Sequence, residues 1–596
     1  MREFEQFPNL VTMFFARATE LGNAPFLWHR EGKGWASRSW TQTALQVSAL
    51  TAALKRVGIE RGDRVMLVSE NRPEWCIADL AIMAAGAVTV PTYTTNNERD
   101  HGHILQDSGA KAVIVSTAKL ARALLPSVIR SSHCKTVIGI EDLKVAQSGD
   151  VAFHDWEKLM SVEMADPAAI AAAADFKRDD LACIIYTSGT GGSPRGVRQH
   201  HGMILHNVAG CIDIFIHDFG WADEVFLSFL PLSHAYEHSA GQFLPIGLGG
   251  QIYYSEGLEK LAANIEEVRP TMMIVVPRLF EVLRARIIKT IEKQGGLAPK
   301  LLQRALALGA KDLGKGIPFW DWPVDFFIKK TLRPKVQAKF GGRMKALVSG
   351  GAPLNPDVGL FFHALGLPLL QGYGQTESGP VISCNRPRAG IKMDTVGPPM
   401  KDTEVRIADD GEILVRGELV MHGYWNNSVQ SDCVLVDGWL LTGDIGHIDA
   451  KGRLVITDRK KDIIVNDKGE NVAPQKIEGM LTLQPEIIQA MVVGDKRPHL
   501  VGLVVPDPEW LMEWAVTNDS RPDCKSLAGN PAVQRALMAA VDRVNSDVSA
   551  TEKVRRIAVA CDPFTVDNEM LTPSMKIRRH KIRETYGERL DALYKA

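Results

Sequence analysis

Along the first half of the chain, short runs of β-branched and other apolar residues alternate with segments whose apolar positions recur every three or four residues. From about residue 40 to 290 this alternation is the pattern of parallel α/β layers. The runs at 65–68, 112–115, 136–138, 181–185 and 272–276 are apolar at consecutive positions. Each therefore predicts a strand covered on both faces. From 279 to 339 the period lengthens to that of amphipathic helices, with Leu and Ile spaced among Arg, Lys and Glu. This part includes the aromatic segment Phe319-Trp-Asp-Trp-Pro-Val-Asp-Phe-Phe327, which suits packing on a large domain or resting on a bilayer. Residues 403–456 read as β-rich. Charge density then rises at Asp458-Arg-Lys-Lys-Asp462, and a small α+β segment runs to the end. The charged stretch predicts a linker, with a solvated turn inside one domain as the alternative. The expected organisation is a domain over 1–458, with a helical insertion at about 285–340, followed by a smaller domain over 459–596.

Composition narrows the classes. A chain of 596 residues has ample length for a large core and several subdomains. Its 69 basic and 70 acidic residues nearly cancel, so no bulk attraction to nucleic acid is expected. Cys76, Cys134, Cys183, Cys211, Cys384, Cys433, Cys524 and Cys561 are scattered, without Cys-x-x-Cys or zinc spacing. That pattern predicts thiols in a reducing cytoplasm. The start lacks the continuous apolar run of a signal peptide. The longest apolar stretch, 76–90, carries Asp79 and stops at Pro91, too short to span a bilayer. A soluble, cytoplasmic protein is expected, with peripheral contact to the inner membrane surface left open.

The candidate chemistry sits where predicted strands end in glycine turns. The run 181–185 leads into Tyr186-Thr-Ser-Gly-Thr-Gly-Gly-Ser-Pro-Arg-Gly196, whose amides and hydroxyls suit phosphate oxygens, with Arg195 adding a fixed charge. Neither a Walker A loop nor a dinucleotide fingerprint can be laid over it. Ser349 leads into Gly350-Gly-Ala-Pro-Leu354. A run at 367–370 leads into Gln371-Gly-Tyr-Gly-Gln-Thr-Glu377, and another ends at Thr442-Gly-Asp444. Ligands collect beyond the carboxyl ends of strands in open α/β sheets. Gly350, Gly351, Gly372 and Gly374 would let backbone approach a flat base, on which Tyr373 would stack. Thr376 suits a phosphate, Glu377 is a hard oxygen ligand for Mg²⁺, and Asp444 suits ribose hydroxyls. Each residue alone has a bland reading: Tyr373 as core, Glu377 as a surface acid, Asp444 as a turn cap. Their joint order is what points to a nucleotide site.

These segments, in this order, resemble the core motifs of the adenylate-forming superfamily of acyl-CoA synthetases, luciferases and nonribosomal peptide adenylation domains. The phosphate loop departs from the family pattern at Gly191, where a threonine is usual, and at Arg195, where a lysine is usual. Asp437-Gly-Trp-Leu-Leu-Thr-Gly-Asp-Ile-Gly446 is similar to the fatty acyl-CoA synthetase signature, and the helical insertion to that of long-chain synthetases. Leu571-Thr-Pro-Ser-Met-Lys-Ile-Arg-Arg579 resembles the long-chain form of the catalytic-lysine motif.

The resemblance implies an α/β fold: a large N-terminal domain of doubly wound α/β subdomains plus a β-rich subdomain, and a small mobile α+β C-terminal domain. It implies a long-chain fatty acid–CoA ligase using ATP, Mg²⁺ and coenzyme A. A fatty acyl-AMP ligase that loads a carrier protein is the alternative. Carried over position by position, Lys576 is the catalytic lysine, Arg459 contacts ribose and Lys461 is the hinge. ATP or AMP is held by Thr187, Ser188, Gly189, Thr190, Gly350, Gly351, Ala352, Gln371, Gly372, Tyr373, Gly374, Thr376, Asp444 and Arg459. Glu377 and Thr190 hold the metal, and Arg195 holds the departing pyrophosphate. His234 and Tyr236 shape the acyl entrance, since a substrate carboxylate is already ionised and needs no general base. Acyl chain length and a homodimer are left open.

Overall fold

The computed structural model describes residues 4, 6–145, 149–162, 165–187, 194–314, 316–518, 520, 523–572 and 576–595. Two large, mostly parallel sheets organise the first four hundred residues. The seven-stranded sheet runs in the order Ala152–Asp155, Thr136–Gly139, Ala112–Val115, Arg64–Val68, Val88–Thr92, Leu181–Thr187, Arg195–His200. Only its last pair is antiparallel. The eight-stranded sheet runs Val381–Cys384, Leu369–Gly374, Ala346–Ser349, Met272–Val275, Val225–Ser228, Gln251–Tyr254, Pro25–Glu31, Gly34–Ser39. Its inner strands pair in parallel, and its two outer pairs are antiparallel. The five continuous apolar runs in the sequence are all strands here, and their inner positions are buried, as cover on both faces requires.

Between the two sheets lies the helix Pro73–Ala84, buried at every one of its 12 positions. A helix apolar all round belongs in an interior. Its side chains join Ala112, Ile114 and Ile138 of one sheet and Leu27, Phe226 and Ile252 of the other in a single core. Its two acids are both partnered: Glu74 by Arg38 and by Arg72 at 2.7 Å, and Asp79 by Nε2 of His238 and Nε2 of Gln242, each donating to its Oδ2 at 2.8 Å.

A third, antiparallel sheet follows: Glu404–Ile407, Glu412–Arg416 and Trp439–Ile448, with Leu435–Val436 and Leu454–Arg459 also paired to Trp439–Ile448. Beyond residue 463 the chain forms a hairpin of Ile464–Val465 with Asn471–Val472 and a three-stranded sheet of Ile487–Val493, Leu500–Pro506 and Val554–Val559. Along Leu500–Pro506 the side chains alternate between two cores. Leu500 and Val504 face one, while Val501, Leu503 and Val505 face the other.

The segment read as amphipathic helices contains Pro277–Gln294, Ala298–Gly314 and Trp322–Lys339. Of the two readings for the aromatic segment, the rings do not pack on the large domain: Phe319, Trp320, Trp322, Phe326 and Phe327 are all exposed, while Asp321, Val324 and Asp325 face inward. The cysteine expectation also needs correction. Cys524 and Cys561 are joined in a disulfide with Cα atoms 5.5 Å apart, across a sequence separation of 37. Leu527 and Val559 share a core that brings the two together, a proximity that scattered spacing does not encode.

Candidate active site

The carboxyl ends of both large sheets, the third sheet and the C-terminal segment meet around one cavity of about 2290 Å³. The seven-stranded sheet contributes Thr187 and Arg195, register partners at the end of an antiparallel ladder. Ser188, Gly189, Thr190 and Gly191, between them, lie outside the described residues. The eight-stranded sheet contributes two strand ends. Gly350, Gly351 and Ala352 follow Ala346–Ser349. Gln371, Gly372, Tyr373 and Gly374 close Leu369–Gly374, and the next turn carries Thr376 and Glu377. From the third sheet come Asp444 and Arg459, opposite each other in register. The C-terminal segment brings Lys576 to the same cavity.

Close packing explains two of the glycines. A Cβ at Gly374 would lie 1.8 Å from the carbonyl oxygen of Pro380, so no other residue fits there. A Cβ at Gly350 would lie 2.7 Å from Cζ of Tyr236, whose hydroxyl donates to the carbonyl of Val348 at 3.0 Å. Gly350 thus makes room for a ring that ties the turn carrying His234 and Tyr236 to the eight-stranded sheet.

The polar groups converge in two clusters. In one, the Tyr373 hydroxyl donates to Oδ2 of Asp444 at 2.7 Å, and Nε of Arg459 donates to Oδ1 at 3.1 Å. Burial, and then the Asp444 charge, push the Tyr373 hydroxyl pKa well up, so it stays a donor. In the other, the Tyr424 hydroxyl donates to Oε1 of Glu377 at 2.9 Å, and the Arg195 guanidinium lies 4.5 Å from the centre of the Tyr424 ring. Nη1 of Arg195 also donates to Oε1 of Gln430 at 3.0 Å. Nothing in the local sequence around Tyr424 and Gln430 signals these roles. The contacts join positions 47 and 235 residues apart.

Lys576 is held by its own loop: its N–H donates to Oγ1 of Thr572 at 3.1 Å, and its carbonyl accepts from the Thr572 N–H at 2.8 Å. The Lys576 side chain is exposed to the water of the cavity it lines, with protein on the surrounding walls. That enclosure, together with the charge of Arg459, pulls its ammonium pKa down to about 8, against the opposing pull of Asp444 and Glu377. Nδ1 of His234 accepts the Tyr236 N–H at 3.1 Å, capping the short helix Ala235–Glu237. Burial, reinforced by Lys576, lowers the His234 pKa to about 4. It is therefore a neutral wall group near pH 7. Beside His234 and Tyr236 the cavity lining includes the apolar side chains of Cys211, Phe215, Phe219, Ala240 and Leu244.

Lys461 is exposed in a tight turn. The N–H groups of Asp462 and Ile463 both donate to the Arg459 carbonyl, at 2.9 and 3.0 Å. Just before it, burial raises the Asp458 carboxyl to a pKa of about 6. Just beyond, Nη1 and Nη2 of Arg579 hold Glu478 at 2.8 and 2.6 Å.

For a divalent cation, Glu377 offers the right chemistry. One of its oxygens receives Tyr424, and the other makes no hydrogen bond among the described residues, so a hard anionic donor faces the cavity. A separate trio, Asp179, His200 and His422, lies outside the cavity. Its donor atoms lie within 4.8 Å of one another, but both ring nitrogens of His200 are already engaged with backbone groups.

Comparison with known proteins adds to this geometry. The family model described as AMP-binding enzyme matches residues 14–425, and that described as AMP-binding enzyme C-terminal domain matches 461–596. A protein named long-chain-fatty-acid–CoA ligase FadD15, from Mycobacterium tuberculosis, is 34% identical over 579 residues, spanning 94% of this chain and 92% of that one. Long chain acyl-CoA synthetase 6, peroxisomal, from Arabidopsis thaliana, is 32% identical, spanning 92% and 80%. Among solved structures, the adenylation domain of a carboxylate reductase from Mycobacterium chelonae superposes with a TM-score of 0.74 at 22% identity, covering 99% of this chain and 92% of that one. The A-PCP didomain of a carboxylic acid reductase from Segniliparus rugosus, in complex with AMP, gives 0.76 at 20% identity, covering 99% and 82%. At these identities the structural likeness speaks for the fold.

Proposed function

The chain belongs to the family of AMP-binding enzymes, and from that premise we propose that it is an AMP-forming long-chain fatty acid–CoA ligase. The observation that carries this reading is the position of Lys576: its ammonium shares with Asp444, Arg459 and Glu377 a cavity that is also lined by apolar side chains. Sequence relatives named for long-chain fatty acid activation support the substrate class. The cavity's size fits it too, since one small-molecule site typically fills about 300–1,000 Å³.

In the first half-reaction, one oxygen of the fatty acid carboxylate attacks the α-phosphorus of ATP. A P–O bond forms to the acyl oxygen, the α–β P–O bond breaks, and pyrophosphate leaves with that electron pair. Two anions must meet, so most of the task is charge neutralisation and alignment. Lys576 bridges the carboxylate and the α-phosphate as a compact cation. Asp444, fixed by Tyr373 and Arg459, receives the ribose hydroxyls. The turns at 350–352 and 371–374 line the base, with Thr376 at the phosphates. Arg195, with the loop through Ser188, Gly189 and Thr190, holds pyrophosphate. Mg²⁺ would be held by Glu377 and Thr190, and when bound it supplies charge neutralisation at the phosphates. Neutral His234, with Tyr236, walls the acyl entrance and takes no proton.

In the second half-reaction the coenzyme A sulfur attacks the acyl carbonyl carbon, the thiol proton is released, and AMP departs with the carboxyl oxygen's bonding pair. The reading assigns the change of surroundings between the two steps to rotation of the part beyond about residue 459 about Lys461. Such a rotation would withdraw Lys576 and admit the thiol. No helix among the described residues is long and apolar enough to cross a membrane. We place the enzyme in the cytoplasm on its six free cysteines, with the Cys524–Cys561 pair as the exception.

The test is AMP and pyrophosphate formation over acetate, octanoate, palmitate, oleate, an aryl acid and amino acids, with and without coenzyme A. Turnover that needs coenzyme A and peaks on long chains is expected. Pyrophosphate exchange without coenzyme A-driven turnover would replace this reading with a ligase serving a carrier protein.

A further inference from the structure

The helix Trp322–Lys339 and the turn before it leave their aromatic side chains outside. The inward face of the helix holds acids: Asp321 at its start and Asp325 within it are both buried. Asp321 is held by Arg304 at 2.5 Å and Lys311 at 2.6 Å, and Asp325 by Lys329 at 2.9 Å and Arg333 at 3.1 Å. Ile328, Leu332 and Val336 complete that face. The outward face holds the aromatics. Phe319 is 71% exposed, Trp320 66%, Trp322 63%, Phe326 64% and Phe327 52%. Burial of Ile328, Leu332 and Val336 is the ordinary pattern for a surface helix; the five exposed rings are the departure from it.

The patch is large. Five rings, each more than half exposed, present on the order of 500 Å² of aromatic surface, the size at which a patch on a monomer marks an interaction site. Its surroundings are cationic. Residues 298–339 carry nine lysines and arginines against three aspartates. All three acids are already engaged, Asp312 with His363 at 2.9 Å and the other two as above. The cations left over include exposed Lys335 and Lys330, whose ammonium sits 5.8 Å from the centre of the Phe326 ring. Exposed tryptophan and phenylalanine beside unneutralised lysine suit a lipid headgroup layer, where rings bury shallowly and ammonium groups meet phosphate.

We propose that this face docks on an anionic lipid bilayer, with the rings of residues 319–327 seated among the headgroups. The surface connects to the cavity. Helix Leu261–Val268 lies beside the docking helix through Glu266 and Lys339 at 2.9 Å, and its Leu261, Ala262 and Ile265 line the cavity. Leu258, on the cavity rim just before that helix, is 69% exposed. Docking here stands apart from the ligase reading; transfer of an acyl chain from bilayer to cavity rests on it.

The experiment is co-sedimentation of the full-length enzyme with vesicles of phosphatidylcholine alone and of phosphatidylcholine with about a third phosphatidylglycerol. Expected is binding to the anionic vesicles, weaker binding to the neutral ones, and a loss of at least about tenfold in Trp320→Ser/Trp322→Ser/Phe326→Ser. Lys330→Glu/Lys335→Glu should lose the preference for anionic lipid. Both variants should turn over water-soluble octanoate as wild type does, which separates a lost surface from a lost fold. Failure of wild type to bind vesicles, or undiminished binding by the serine variant, overturns the proposal. A wild-type dimer that the serine variant abolishes, without vesicle binding, would assign the face to a second copy instead. A wild type that binds vesicles yet turns over no fatty acid would leave the docking surface standing and remove the ligase reading.

Discussion

Replacing Lys576 should change the pH dependence of adenylate formation before anything else. With an ammonium pKa of about 8 in the free enzyme, about three-quarters of molecules carry the charge at pH 7.5 and about a tenth at pH 9. In the proposed mechanism only the protonated form neutralises the meeting of carboxylate and phosphate. The kcat/KM for pyrophosphate release should therefore be flat below about pH 7 and fall about tenfold for each pH unit above 8. Lys576→Arg keeps its charge past pH 12, so its profile should stay flat to pH 10. Its plateau should be lower, since a planar fork does not substitute for a compact ammonium. Lys576→Ala should lose roughly 10²–10³-fold at pH 7, the scale of one preorganised charge lost from a transition state, while still converting pre-made acyl adenylate to thioester. The assay is continuous pyrophosphate release at saturating coenzyme A, with acyl adenylate supplied separately for the second step. An alkaline limb that persists at the same midpoint in Lys576→Arg would refute the assignment.

The same shift fixes the sign of a stability effect. The folded pKa of about 8 lies below the ordinary 10.5, so between those values the unfolded chain binds more protons and stability from this group rises with pH. Below pH 8 both states are protonated and the enclosed ammonium is a net cost, reduced by the water that reaches it in the cavity. Lys576→Met should thus leave the Tm at pH 7 equal or higher. A marked drop would mean that lost activity reflects a lost fold.

Four further outcomes follow from the geometry. Lys461→Pro, which fixes φ in the turn, should spare pyrophosphate release and slow thioester formation; equal loss in both half-reactions would remove the hinge role. Tyr373→Phe leaves Asp444 with Arg459 alone, so the KM for ATP should rise about five- to tenfold, one hydrogen bond's worth, with kcat little changed. Gly350→Ala pushes a methyl into the Tyr236 ring and should raise the KM for long-chain acids more than that for ATP, as parallel kinetics with palmitate and ATP would reveal. Chelation with EDTA should stop pyrophosphate release, and Mg²⁺ should restore it; unaffected turnover would remove the metal role given to Glu377.

Much of the fold is legible in the sequence because its signals are local. The run 181–185 announces a strand by consecutive apolar residues, and the glycines at 350–351 and 372–374 announce turns at strand ends. What joins those turns is not local. Tyr373 meets Asp444 across 71 residues, and Tyr424 meets Glu377 across 47. No spacing rule links such positions, so Tyr424 and Gln430 escape notice until the sheets assemble around them. The Cys524–Cys561 pair is hidden for the same reason. Along residues 319–339 the sequence shows aromatics, acids and lysines intermixed. Only the contacts of Asp321 and Asp325 with cations reveal which face looks inward.

The buried helix Pro73–Ala84 has a consequence for how such a protein can be recombined. Its residues complete the cores of both large sheets at once, so neither half of the N-terminal region owns its own interior. A chimera that exchanges one sheet with a relative inherits a helix fitted to the sheet left behind, and the mismatch falls on twelve side chains with no solvent-facing position to absorb it. Diversification of this architecture is therefore channelled to strand ends, to the helices over residues 277–339 and to the C-terminal segment, where sequence can drift without renegotiating two interiors together.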